Sequence, residues 1–298
     1  MAEGKAAEPK MQNRFGFLWR ELYRLSEANQ DQTDPGDVRR LLADVRDYMS
    51  KRDEALPPQI TPFFIAFQFR NAGRALLGTA SGRAWEKDVA EFVESLPAEE
   101  VLPNGVRFSS DFVSRFSINW LPALAHLVGA PNVNALEVGS AEGRSCLWFL
   151  ANVLTDRSSR ITCIDTFDGA GQGRSDIESE LQSRFDRNAA AAGETDRVTK
   201  IFGMSQVALR TLPLGHYDFA YIDGSHMTAD VLEDIVLAWR LLQPNGVMIL
   251  DDYGYFRMHP TAPPEVRPSV AIDAFMTCFA GQWTEVHRDY QIILKKNA

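Results

Sequence analysis

From residue 133 onward the chain alternates short apolar runs with amphipathic stretches, and that alternation sets the fold expectation. VNALEV (133–138), RITCID (160–165), VTKIF (198–202), YDFAYID (217–223) and VMILDD (247–252) each read as a short strand. Helical patterns lie between them at 144–154, at 178–191, from Ser205, and at 228–242, the last ended by Pro244-Asn245-Gly246. Strands that alternate with helices specify a parallel sheet joined by right-handed crossovers. The end of the chain differs. A helix at about 268–280 is followed by WTEVHRD and YQIILKK with almost nothing between, a connection only an antiparallel pair can make.

Before residue 133 the period is that of helices. The first ten residues are small and polar and read as a disordered tail, and Phe15, Leu18, Trp19, Leu22 and Leu25 then repeat on one helix face. After the break at Asp34-Pro35-Gly36, Val38, Leu41, Leu42 and Val45 repeat in the same way. The stretch 59–78 is apolar all round, as expected of a helix packed between partners, and 84–96 is a further helix. A short helix at 122–128 is expected to open at Pro122 and close at Gly129. The division expected is a tail (1–10), a helical region serving as lid or for oligomerisation (11–107), and an α/β domain (108–298) with about seven strands.

Composition narrows the classes. The formal charge is −9, from 31 Lys+Arg against 40 Asp+Glu, so no basic surplus exists to neutralise phosphates and nucleic acid is excluded as the expected partner. With 45% hydrophobic and 24% charged residues the chain reads as soluble and globular. No apolar run approaches the roughly 18 residues that span a bilayer, so no membrane role is expected. MAEGKAAEPK lacks an apolar signal core, and Cys146, Cys163 and Cys278 are an odd set without metal-type spacing. The expected compartment is a reducing cytoplasm.

In an open parallel sheet ligands bind beyond the carboxyl ends of the strands, so the residues there carry the candidate chemistry. EVGSAEG (137–143) puts Gly139 at the turn from strand to helix and Gly143 where a side chain would hold a ligand off the backbone. It is a nucleotide-type turn or an ordinary tight turn, and its spacing is not the G-x-G-x-x-G of dinucleotide folds. Asp165, at the end of the next strand, can accept both hydroxyls of a ribose or cap its own loop. Asp223, Asp251 and Asp252 end adjacent strands, which lie about 5 Å apart, so their carboxylates should converge. Like charges that close call for a cation, and oxygen-only ligands suit Mg²⁺ or another hard divalent ion. The alternative is that each acid has a separate duty. His226 stands three residues after Asp223, either as a base at cellular pH or as a helix-entry residue. His126, His216, His259 and His287 have no such neighbours and read as structural or exposed.

EVGSAEGRS (137–145), CID (163–165), GMSQ (203–206), IDGSH (222–226) and ILDDY (249–253) together resemble a class I S-adenosylmethionine-dependent methyltransferase. The nearest likeness is to metal-dependent O-methyltransferases of the macrocin, or macrolide-sugar, group, with catechol O-methyltransferases more distant. The resemblance implies an α/β, Rossmann-like doubly wound sheet and an O-methyltransferase acting on a sugar or natural-product hydroxyl. It implies that Gly139, Ser140 and Gly143 hold the methionine part of the cofactor with Glu137 and Ser145 nearby. Asp165 and Thr166 would serve the ribose, and Gly203, Ser205 and Gln206 the adenine. Asp223, Asp251 and Asp252 would hold Mg²⁺, with Asp223 beside both metal and cofactor, and His226 would be the base. Catechol enzymes carry Lys at the His226 position and Asn at the Asp252 position, so the sugar-modifying branch fits better. The loop 169–176 and the Pro-rich 254–266 are lid candidates or plain surface loops. The rival readings are an NAD-dependent oxidoreductase and a non-catalytic cofactor-binding scaffold. Self-association is expected from apolar helix faces before residue 100.

Overall fold

In a computed structural model, residues 18, 21, 35–51, 61–77, 86–169 and 180–298 are described. The expectations for the tail, for most of the helix around 15–25 and for nearly all of the loop 169–176 lie outside them. Two compact units result. One comprises 1–100 with 109–115, the other 101–108 with 116–298. The chain therefore changes unit more than once near the expected 107/108 boundary, as 109–115 joins the helical unit.

The helical unit holds α1 (Pro35–Lys51), α2 (Pro62–Leu77) and α3 (Glu86–Ser95). Val38, Leu42 and Val45 on α1 bury against Phe64, Ile65 and Phe69 on α2 and Val89 and Phe92 on α3, as the spacing demands. The all-round apolar character of α2 has its reason in Phe63 and Phe67, which are also buried. Between them Arg70 is buried too. Its guanidinium donates to the Pro97 and Ser109 carbonyls and lies 5.9 and 5.8 Å from the Phe63 and Phe67 ring centres.

The second unit is built on strands β1 (Asn134–Val138), β2 (Arg160–Asp165), β3 (Val198–Phe202), β4 (Tyr217–Ile222), β5 (Leu242–Leu250), β6 (Trp283–Arg288) and β7 (Ile292–Lys296). Their order is β3-β2-β1-β4-β5-β7-β6. Every pair from β3 to β5 is parallel, while β7 runs antiparallel to both β5 and β6. Strand order reverses at β1 and β4, and such a reversal opens a crevice at the carboxyl ends. This is the doubly wound α/β sheet with a closing hairpin that the sequence pattern specifies.

The helices are α4 (Ser117–Leu124), α5 (Arg144–Asn152), α6 (Leu181–Ala191), α7 (Ser205–Ala208), α8 (Thr228–Leu241), α9 (Tyr255–Met258) and α10 (Pro268–Cys278). Leu136, Val138, Ala220, Ile222, Met248 and Leu250 form one apolar core with Ile235 and Trp239 of α8 and Ile272 and Phe275 of α10. Lys296 donates to the Trp239 and Leu242 carbonyls, placing a cation at the end of α8 where the helix dipole favours one. Among the described residues no helix is long and apolar enough to cross a membrane.

Two boundaries differ from expectation. Pro122 lies inside α4 instead of opening a helix, and the preceding turn carries the fully buried Trp120. Pro244-Asn245-Gly246 does not end α8; the strand starts at Leu242, pairs with Tyr217, and slips in register before Phe219 meets Val247. Asn245, at φ +66, takes up the extra residues of that slip.

Candidate functional site

At the end of β1 the chain turns through Gly139, at φ +85. A Cβ there would stand 1.8 Å from the Asp223 carbonyl oxygen, so the close approach of β1 and β4 at their ends excludes every residue but glycine. The expected reason for Gly143 is corrected. Its φ of +83 still favours glycine, but the space beside it is filled by the Phe185 ring, 3.0 Å from a built Cβ, and is not a ligand's.

Asp165 is the residue that ties this turn down. Its Oδ2 accepts the Ser140 and Ala141 N–H groups, each at 2.7 Å, and its Oδ1 accepts the Phe167 N–H at 2.6 Å. The carboxylate expected at a ribose is thus first a clamp across two strand ends, and its remaining lone pairs are what a ligand could use. Thr166 beside it donates to Asp168. Glu137 is buried on β1. Burial pushes its carboxyl up to about 7, against the opposing pull of the Ser140, Ser145 and Cys163 side chains.

At the β3 end Gly203 has φ +144 and donates its N–H to the Asp165 carbonyl. Phe202 and Met204 beside it are exposed apolar residues at the rim, and Ser205 and Gln206 open α7. Ser205 faces Asp234 of α8. Burial pushes Asp234 up to about 7, with the Ser205 hydroxyl as a counterweight, and its Oδ1 has no hydrogen-bond partner. Asp234 lines a cavity of about 10 Å³ with Asp223, Gly224, Ser225, Asp251 and Asp252.

The three expected aspartates stand at neighbouring strand ends. Asp223 follows β4, and Asp251 and Asp252 follow β5. The Tyr221 hydroxyl, two residues before Asp223 on the same strand face, lies within hydrogen-bond reach of both Asp223 and Asp251. One hydroxyl proton cannot serve two carboxylates at once. Burial first, then the charges of Asp251 and Asp252, hold the Asp223 carboxyl well above the ordinary carboxylate range. Burial and the Asp252 charge likewise raise Asp251. Asp252, at φ +59, accepts from the Tyr290 hydroxyl at 2.9 Å, and its other oxygen is 2.8 Å from His226 Nε2.

These contacts spread the acids. Among the described residues, the group of three acid, His or Cys ligand atoms lying within 4.8 Å of one another is Glu137, Cys146 and Cys163, not the aspartates. That buried trio is poorly suited to a hard ion, because two of its three ligand atoms are thiol sulfurs. The aspartates, by contrast, offer oxygen ligands only, and the repulsion that helps to raise Asp223 and Asp251 is what a hard divalent cation relieves.

His226 is reached by more than Asp252. Burial pulls its pKa down, but the Asp252 hydrogen bond and charge, together with Asp251, hold it above the ordinary value. Tyr255 on α9 stacks beside it with ring centres 4.6 Å apart, and His259 lies 4.2 Å beyond Tyr255. The expectation that His259 has no functional neighbours is therefore corrected. The segment after Asp252 folds back over the imidazole, a return that histidine spacing does not reveal. Sequence reasoning also missed Tyr221, Asp234, Trp120, Tyr290 and Gln291. For Tyr221 the period-two strand pattern was an available signal, whereas Tyr290 and Gln291 come from the far hairpin and had none.

The methyltransferase domain family model matches residues 136–253. An O-methyltransferase of Aspergillus hancockii, hkm8, is 28% identical over 130 residues, which are 38% of this chain and 50% of that protein. The chain thus matches half the length of that relative. Uncharacterized protein R132 of Acanthamoeba polyphaga mimivirus is 26% identical over 164 residues, 55% of this chain and 70% of that one. Among solved structures, the O-methyltransferase TomG of Streptomyces achromogenes in complex with SAM is 16% identical at a TM-score of 0.47, with 91% of this chain and all of that one covered.

Proposed function

We propose that this chain, whose residues 136–253 match the methyltransferase domain family model, transfers the methyl group of S-adenosylmethionine to a hydroxyl oxygen of a small molecule, a sugar or natural product, with a divalent cation such as Mg²⁺. The observation that carries the reading is the meeting of the Asp165-clamped glycine turn, the three aspartates and His226 at the carboxyl ends of adjacent strands.

The sulfonium supplies an electrophilic methyl, and a cation supplies Lewis acidity that lowers the pKa of a bound hydroxyl. The chain's residues do the rest. The turn from Gly139 through Ala141, held by Asp165, would shape the floor for the methionine part, with Glu137 and Ser145 nearby. Thr166, Gly203, Ser205 and Gln206 border the nucleoside side. Asp223, Asp251 and Asp252 would hold the cation, their negative field also complementing a positive sulfonium. His226 donates from Nε2 to Asp252, so Nδ1 is the atom left to take the acceptor's proton. Tyr255 packs against its ring at a tilt of 36° and steadies it.

Methyl transfer from radiolabelled S-adenosylmethionine to a panel of hydroxylated acceptors tests the reading. Activity lost with EDTA and regained with Mg²⁺ is expected. Binding of NAD but not S-adenosylhomocysteine would overturn it in favour of an oxidoreductase.

A further inference from the structure

Asp251 is held from far along the chain. Gln291, in the hairpin turn just before β7, donates from its amide nitrogen to Asp251 Oδ2 at 2.8 Å, and Trp120 on α4 donates its indole N–H to Gln291 Oε1 at 2.7 Å. Both Gln291 and Trp120 are fully buried. An indole N–H can only donate, so it fixes which end of the Gln291 amide is the acceptor, and the NH₂ end then has to face the carboxylate. Trp120 cannot readily move. Its ring packs 5.2 Å from Trp148, 4.9 Å from Phe149 and 5.0 Å from Tyr221, centre to centre.

We propose that Gln291, oriented by Trp120, is a positioning residue that fixes the Asp251 carboxylate for a divalent cation. Oδ2 takes the Gln291 donor and shares the Tyr221 hydroxyl with Asp223, while among the described residues Oδ1 takes the Asp252 N–H at 2.7 Å. The side-chain donors thus gather on Oδ2, and Oδ1, with one backbone donor, keeps a lone pair to spare. Groups that orient a ligating carboxylate act on affinity without touching the ion. The relay couples α4, the hairpin and the β5 end into one rigid setting, and this rests on the cation reading above.

Mn²⁺ titration followed by electron paramagnetic resonance tests it on the wild-type chain, on Gln291→Met, which keeps the volume and removes the donor, and on Trp120→Phe, which frees the amide to turn. Gln291→Met is expected to weaken Mn²⁺ about 10- to 100-fold and Trp120→Phe in the same direction, with S-adenosylhomocysteine affinity and the circular dichroism spectrum unchanged. Wild-type Mn²⁺ affinity in either folded variant overturns the positioning role alone. Parallel loss of Mn²⁺ and S-adenosylhomocysteine binding marks a merely structural residue and also overturns it. A wild-type chain that binds no Mn²⁺ overturns the cation reading and this inference together.

Discussion

Replacing Asp234 by Asn should stabilise the second unit at alkaline pH far more than at acid pH. Asp234 is 1% exposed, and its Oδ1 has no partner. Its carboxyl is pushed from an ordinary 3.8 to about 7. A raised carboxyl favours the folded state fully below its unfolded value and loses that contribution as pH climbs through the folded value. At about 1.4 kcal/mol per pH unit, the ionised group costs the native state about 1 kcal/mol at pH 4.5 and about 4 kcal/mol at pH 8.5 at most. Asn fills the same space and cannot ionise. The difference in stability between variant and wild type should therefore widen by about 3 kcal/mol between those pH values. Urea unfolding in EDTA, followed by tryptophan fluorescence, reads it, since Trp239 lies on the same helix as Asp234. A variant equally shifted at both pH values, or less stable than wild type at pH 8.5, would refute the reasoning.

Gly139→Ala should cost about 3 kcal/mol or more, because the added Cβ meets the Asp223 carbonyl. Gly203→Ala, with φ +144 but nothing within 4 Å of its Cβ, should cost only about 1 to 2 kcal/mol of backbone strain; equal thermal melts for the two would contradict this. Asp165→Ala leaves the Ser140, Ala141 and Phe167 N–H groups without their acceptor, and calorimetry should show S-adenosylhomocysteine bound at least about tenfold more weakly, with unchanged binding counting against the clamp. His226→Ala should lower kcat about 100-fold or more while S-adenosylhomocysteine affinity holds, and near-normal turnover would remove His226 from the base role.

The strand and helix alternation was legible because apolar runs stop at an acid: Asp223 follows Ile222, and Asp251 follows Leu250. Apolar periodicity therefore located the rim. It could not show how the rim is wired. Asp165 contacts backbone N–H groups whose directions depend on the positive φ of Gly139 and Ala141, which sequence does not specify. Gly143 looked like a ligand-facing glycine because the Phe185 ring that fills its space comes from another helix. Trp120 and Gln291 are 171 residues apart; the β5-β7 register, with Leu250 opposite Ile292, sets Gln291 beside Asp251, and the docking of α4 brings in Trp120. The spacing of Asp251 and Asp252 gave their location but not the Tyr221, His226 and Tyr290 contacts that turn their carboxylates.

The hairpin contacts at Tyr290 and Gln291 also have a bearing on synthesis. Ribosomes release the glycine turn and the acidic strand ends well before residues 290 and 291, so a nascent chain carries unfinished chemistry until the hairpin emerges and docks. A stalled or prematurely terminated product ending near Gly281 would lack the two side chains that steady Asp251 and Asp252.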